Sequence, residues 1–127
     1  MARRVEGYVA DILEAIAAIR LYTRSGKREF IDNPMARDAV IARIIQIGEA
    51  VKGAQAGGLD LEELDPGVPW RQIAGMRDIL SHQYWRTDPG IVWAVAAKDL
   101  KPLEASAKRI LAAAAKRLRK GKPAVAI

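Results

Sequence analysis

Apolar residues recur at three- and four-residue spacing from the start of the chain: Val5, Tyr8, Val9, Ile12, Ile16 and Ile19 form one stripe, with Glu6, Asp11, Glu14 and Arg20 set off it. That period predicts an amphipathic helix over about residues 3–23, with Gly26 as its stop signal. After a short segment at residues 28–31, Asn33-Pro34 reads as cap and first helical residue of a second long helix. Its stripe is Val40, Ile44, Ile47 and Val51, widened by Ile41 and Ile45, and Gly57-Gly58 ends it. Gly48 sits inside this run at a cost in helix propensity, which predicts a close approach to the backbone there, most simply by a packed helix, with Glu49 beside it.

Residues 59–68 are acidic and leucine-spaced, a connection with at most a short helical turn. Pro69 then starts a third long helix, which ends in the Trp85-Arg-Thr-Asp-Pro89 stretch because a residue before proline disfavours helix. Asp88-Pro89 opens a short apolar helix carrying Val92, Trp93, Val95 and Ala96. Asp99 is expected to cap the last helix, with Pro102 tolerated in its first turn and Leu100, Leu103, Ala107, Ile110, Leu111, Ala114 and Leu118 as its stripe; Gly121 and Pro123 close it. No alternating strand pattern and no repeat is present, so the expectation is an all-α fold, a bundle of four or five helices. Residues 1–120 are expected to form a single domain and residues 121–127 a flexible basic and apolar tail.

Composition narrows the chemistry. With no cysteine and one histidine in 127 residues, the chain uses neither disulfides nor thiolate ligands, and a zinc site is not expected. Asp11 and Glu14 interrupt the apolar run behind Arg3 and Arg4, which argues against a signal peptide, and no stretch is long enough to span a bilayer, so a soluble, cytoplasmic protein is expected. The net charge of +6 is concentrated at one end. Lys108, Arg109, Lys116, Arg117, Arg119, Lys120 and Lys122 come without a single acidic neighbour, and the remainder is close to neutral. Such a stripe is either a solvated helix face or an RNA-binding surface, with Lys108, Arg109, Lys116 and Arg117 as its candidates.

The third long helix carries the reactive groups. At about 100° per residue, Tyr84, Arg77, Ser81, Asp78 and His82 fall within an arc of roughly 160°, while Ile73, Met76, Ile79 and Leu80 take the other side. His82 is suited to proton transfer near neutral pH, Asp78 one turn earlier could orient its ring, and the planar fork of Arg77 matches a phosphate and its transition-state charge. These are parts for phosphodiester cleavage by a ribose 2′-hydroxyl, which needs no metal. That reaction needs one group to take a proton and another to give one, and a two-fold dimer would bring two copies of His82 and Arg77 to one cleft. The plainer alternative makes His82 a hydrogen-bonded helix-end residue, and Trp70, Trp85 and Trp93 core or interface anchors rather than base-stacking platforms.

Residues 69–84, with Arg77, His82 and Tyr84 in the pattern R-x-x-x-x-H-x-Y, resemble the HepT-like toxins of the HEPN superfamily. The likeness extends through Tyr8-Val-Ala-Asp-Ile-Leu-Glu-Ala-Ile16, Asp38-Ala-Val-Ile-Ala-Arg43, Ile47-Gly-Glu-Ala50 and Asp88-Pro-Gly-Ile-Val-Trp93. It implies a dimerising helical bundle whose shared cleft cleaves RNA without metal or other cofactor, Arg77 and His82 being the catalytic pair. It also implies a small nucleotidyltransferase antitoxin that attaches AMP units to Tyr84. The family commonly has asparagine where this chain has Asp78, a supporting position beside the arginine. Two other functions fit the residues: a non-catalytic helical partner of a nucleotidyltransferase, and a bundle whose basic last helix binds nucleic acid nonspecifically.

Overall fold

The computed structural model describes residues 4–83 and 86–119. Among them, seven α-helical segments follow one another: α1 (Val5–Tyr22), α2 (Lys27–Ile31), α3 (Pro34–Ala56), α4 (Leu61–Leu64), α5 (Trp70–Gln83), α6 (Pro89–Ala94) and α7 (Leu100–Arg119). No strand occurs among the described residues. The four long helices stand where the apolar period placed them, and the acidic connection holds only the single turn of α4, capped by the Asp60 carboxylate accepting from Glu63 N.

The core forms where α1 meets α3. Val9, Ile12, Ile16 and Ile19 of α1 and Val40, Ile44, Ile47 and Val51 of α3 are almost wholly buried, and full burial of such a side chain stabilises the fold by roughly 1.5–3 kcal/mol. On the outer side of α3 lies α5, and on the outer side of α1 lies α7. An Arg20 to Glu104 ion pair, 2.7 and 2.6 Å to the two carboxylate oxygens, ties α1 to α7 at the surface. Gly26, at φ +95°, makes the turn into α2, a backbone conformation that side chains rarely adopt. Asn33 caps α3 by accepting from Ala36 N, with Pro34 in its first turn, and Asp88 caps α6 through Gly90 N with Pro89 behind it.

One expected boundary is different. Asp99 does not stand at a helix start, because α6 passes into α7 through a π-helical turn, Val95–Asp99, whose flanking residues Ala94 and Leu100 are themselves helical. Pro102 therefore lies in the interior of a continuous helical run. It has no N–H for the carbonyl four residues back, and it follows directly on the turn where the four-residue pairing has already given way to a wider one.

Candidate active site

The start of α5 is fixed by burial and by a hydrogen bond. At its start, Trp70 is buried to 1% exposure, and its indole N–H donates to the Asp65 carbonyl at 2.9 Å. The carboxylate of the same Asp65 pairs with Arg109 of α7. Further along, Leu80 is buried and Ile73 and Met76 are packed against the core. Asp78, Ser81 and His82 face solvent, as the polar arc predicts. Ile79 does not follow that arc: it is 64% exposed. The face of α5 that meets α3 runs through Trp70, Ile73, Arg77 and Leu80, which puts Ile79 on the far side and brings Arg77 into the helix-helix seam.

What brings Arg77 there is the absence of a side chain at Gly48. A Cβ at that position would stand 3.3 Å from Arg77 Cγ and 3.4 Å from the Ile73 carbonyl oxygen, and would collide with Arg77 Cβ. The next residue, Glu49, pairs with Arg77 Nε, which is itself enclosed. Arg77 Nη1 donates to Asp78 Oδ1 at 2.7 Å, and Lys52 Nζ donates to both oxygens of Asp78 at 3.1 and 3.2 Å. Glu49, Arg77, Asp78 and Lys52 thus form a chain of alternating charge, two members from α3 and two from α5. The Arg77 hydrogen bond, with that of Lys52 behind it, holds the Asp78 carboxyl below the usual carboxylate range. The bond to Asp78 in turn raises Arg77 above its ordinary value, against the opposing effect of burial and with help from Glu49.

His82 stands apart from this chain. The one-turn spacing predicts that Asp78 orients its ring, but the oxygens of Asp78 are engaged by Arg77 and Lys52. Five residues of helix separate Arg77 and His82 by about 7.5 Å of rise and roughly 140° of rotation, with Arg77 in the seam and His82 in solvent. Tyr84 and Trp85 lie outside the described residues. Lys108 and Lys116 of the basic stripe are exposed, Arg109 is paired with Asp65, and the side chain of Arg117 is outside the described set. Trp93 is half-buried, its ring 5.6 Å from that of Phe30 and tilted by 45°, an anchor within the fold.

Sequence reasoning missed Lys52, and it noted Glu49 only as the neighbour of a glycine. Their spacing of three on α3 puts both on one face, but nothing local says that this face meets α5. Among the described residues no group of three or more His, Cys, Asp or Glu could hold a metal ion. No helix among them is long and apolar enough to cross a membrane. Between α5 and α6 an apolar cavity of about 370 Å³ is walled by Ile44, Met76, Leu80 and Val92, with Ile79 and Ile91 at its edge, the latter 61% exposed.

The family model described as "Ribonuclease HepT-like" matches residues 12–110, a span that includes Arg77 and His82. "Probable ribonuclease HepT" of Thermococcus cleftensis is 33% identical over 111 residues, covering 87% of this chain and 98% of that protein. "Putative RNase MJ1380" of Methanocaldococcus jannaschii is 34% identical over 103 residues, covering 80% of this chain and 92% of its own length. The same organism's "Gamma-glutamylcyclotransferase and putative RNase MJ0434" is 36% identical over 112 residues, 87% of this chain, and the chain spans only about half (49%) of that relative. No solved structure matches.

Proposed function

The chain belongs to the ribonuclease HepT-like family, and from that premise we propose that it is an endoribonuclease acting as a homodimer, with Arg77 and His82 as its catalytic pair. The observation that carries the proposal is their placement: an arginine fixed in a helix seam and the chain's one histidine exposed on the same helix. The ribose 2′-hydroxyl attacks the adjacent phosphorus as His82 of one subunit takes its proton. The bond to the 5′-oxygen breaks, and that oxygen receives a proton from the second His82, leaving a 2′,3′-cyclic phosphate and a 5′-hydroxyl. Arg77 stabilises the charge that builds on the phosphoryl oxygens. One histidine cannot be base and acid at once, and it diverges from Arg77 on one helix, so the second copy completes the site. Exposed Ile79 and Ile91 beside an apolar cavity suit that second copy as cover.

The biological setting follows the same reading: a cytoplasmic toxin, paired with a nucleotidyltransferase antitoxin that attaches AMP to Tyr84 and so places bulk and phosphate charge where RNA binds. Lys108, Lys116 and Arg117 add nonspecific attraction for RNA. Cleavage of total RNA in chelator, lost in both Arg77→Ala and His82→Ala while each stays dimeric, is the expected result; cleavage that persists without His82 sinks the assignment. Intact mass after incubation with the neighbouring nucleotidyltransferase and ATP should rise by AMP units in the parent chain and not in Tyr84→Phe.

A second reading has one observation in its favour. Asp78 already occupies Nη1 of Arg77, an atom a phosphate would need. A dimer that binds a nucleotidyltransferase tightly yet cuts no RNA would make the chain a non-catalytic partner.

A further inference from the structure

A guanidinium offers a phosphate two edges, Nε with Nη2 and Nη1 with Nη2, and a bidentate grip needs both atoms of one edge. In this chain the first edge is closed. Nε of Arg77 is enclosed and has Glu49 as its ion-pair partner, with the Cβ of Arg77 set down on Gly48. Only the outer edge remains, and one of its two nitrogens, Nη1, already donates to Asp78 Oδ1 at 2.7 Å. A phosphate arriving at that edge meets a carboxylate, and two anions on one nitrogen repel each other. Asp78 has a second partner in place: Lys52, one helical turn beyond Glu49 on α3, reaches both its oxygens at 3.1 and 3.2 Å. Arg77, Asp78 and Lys52 keep 34, 52 and 42% of their side chains exposed, so the exchange can occur at the surface without opening the fold.

We propose that Lys52 is a positioning residue that receives Asp78 when a substrate phosphate displaces it from Arg77, so that phosphate binding at Arg77 is an exchange of one anion for another. The inference rests on the ribonuclease reading only for the identity of the phosphate as RNA. Asp78 competes for the arginine, and Lys52 makes the competition easy to lose. Lys52 acts through Asp78, and its effect should vanish when Asp78 can no longer compete.

A double-mutant cycle tests this with a probe that cannot be cleaved, a mixed-sequence 2′-O-methyl oligoribonucleotide whose binding is read by fluorescence anisotropy. Lys52→Met in the parent chain should weaken binding about tenfold, and Lys52→Arg should restore it. In an Asp78→Asn chain, Lys52→Met should change binding by less than about twofold, a coupling well beyond additivity for independent sites. Equal weakening in both backgrounds would show that Lys52 touches phosphate directly and overturns the proposal, as would no effect in either. Thermal melts of each variant separate these outcomes from loss of fold. Because binding is read without turnover, a dimer that binds the probe in this coupled way yet cleaves no RNA leaves the exchange standing and removes only the nuclease reading. In active protein the same cycle should appear in KM, with kcat little changed.

Discussion

Arg77 rests on Gly48: its side chain leaves α5 at a position on α3 where no Cβ stands in its way, and a Cβ placed there would lie 3.3 Å from Arg77 Cγ and collide with Arg77 Cβ. The close approach of α5 to α3 and the placement of Arg77 are one contact.

Replacing Gly48 with alanine should therefore cost stability, although alanine is the better helix former. Overpacking of this kind costs about 1–3 kcal/mol against a propensity gain of up to about 1 kcal/mol, and the clash is with Arg77 Cβ, which is fixed to the α5 backbone and cannot swing away. A methyl group at Gly75 would meet nothing within 4 Å, so Gly75→Ala should stabilise by roughly 0.5–1 kcal/mol. Urea melts of the two variants should move in opposite directions, and a Gly48→Ala chain as stable as the parent would contradict the packing described.

His82→Ala should leave stability within about 0.5 kcal/mol of the parent, since exposed positions away from caps and core rarely matter more. The histidine is exposed. Cleavage, by contrast, should fall by about 100-fold or more if the ring moves protons in the reaction. Denaturation and single-turnover cleavage on one protein preparation decide this; a small loss of rate would return His82 to a helix-end role.

The Asp78 carboxyl is held low by Arg77 first and Lys52 second. A depressed carboxyl contributes its pairing above the unfolded value and loses it as pH falls through the folded one, so the chain of charges should be complete at neutral pH and break only below the ordinary carboxylate range. Carboxyl carbon NMR should show Asp78 titrating below a typical aspartate, and Arg77→Ala should move it up further than Lys52→Met does. The acid limb of the rate profile should not shift in Asp78→Asn.

Removing charge from α7 should separate its residues. Lys108→Ala and Lys116→Ala should weaken RNA binding about equally for every sequence and flatten its salt dependence by up to roughly one unit of slope each. Arg109→Ala should do less, because that guanidinium is engaged by Asp65, and as an exposed pair it should cost less than about 1 kcal/mol of stability. Binding titrations at several salt concentrations make the comparison.

The apolar period made the long helices legible, and Asn33-Pro34 and Asp88-Pro89 marked two starts, because caps and stripes are local. Gly48 could be read as a point of close approach, since a glycine inside a helix asks for a reason. What approached it could not be read. The outward turn of Ile79 depends on which way α5 faces α3, and Lys52 meets Asp78 across 26 residues of chain. The helical wheel separates polar from apolar positions on α5 but not the seam from the outside, so it places Arg77 and His82 on one polar arc although only Arg77 enters the seam.

The π-helical turn Val95–Asp99 has a consequence for how the two halves of the last run are phased. A turn that takes up one extra residue rotates everything after it by about 100° relative to an unbroken α-helix. The α6 half can thus address α2 and α3 while the α7 half addresses α1, each with its own apolar side. Deleting a single residue there would let the run close up as an unbroken α-helix with both apolar sides still in phase, whereas adding one would turn the polar side of one half toward the core.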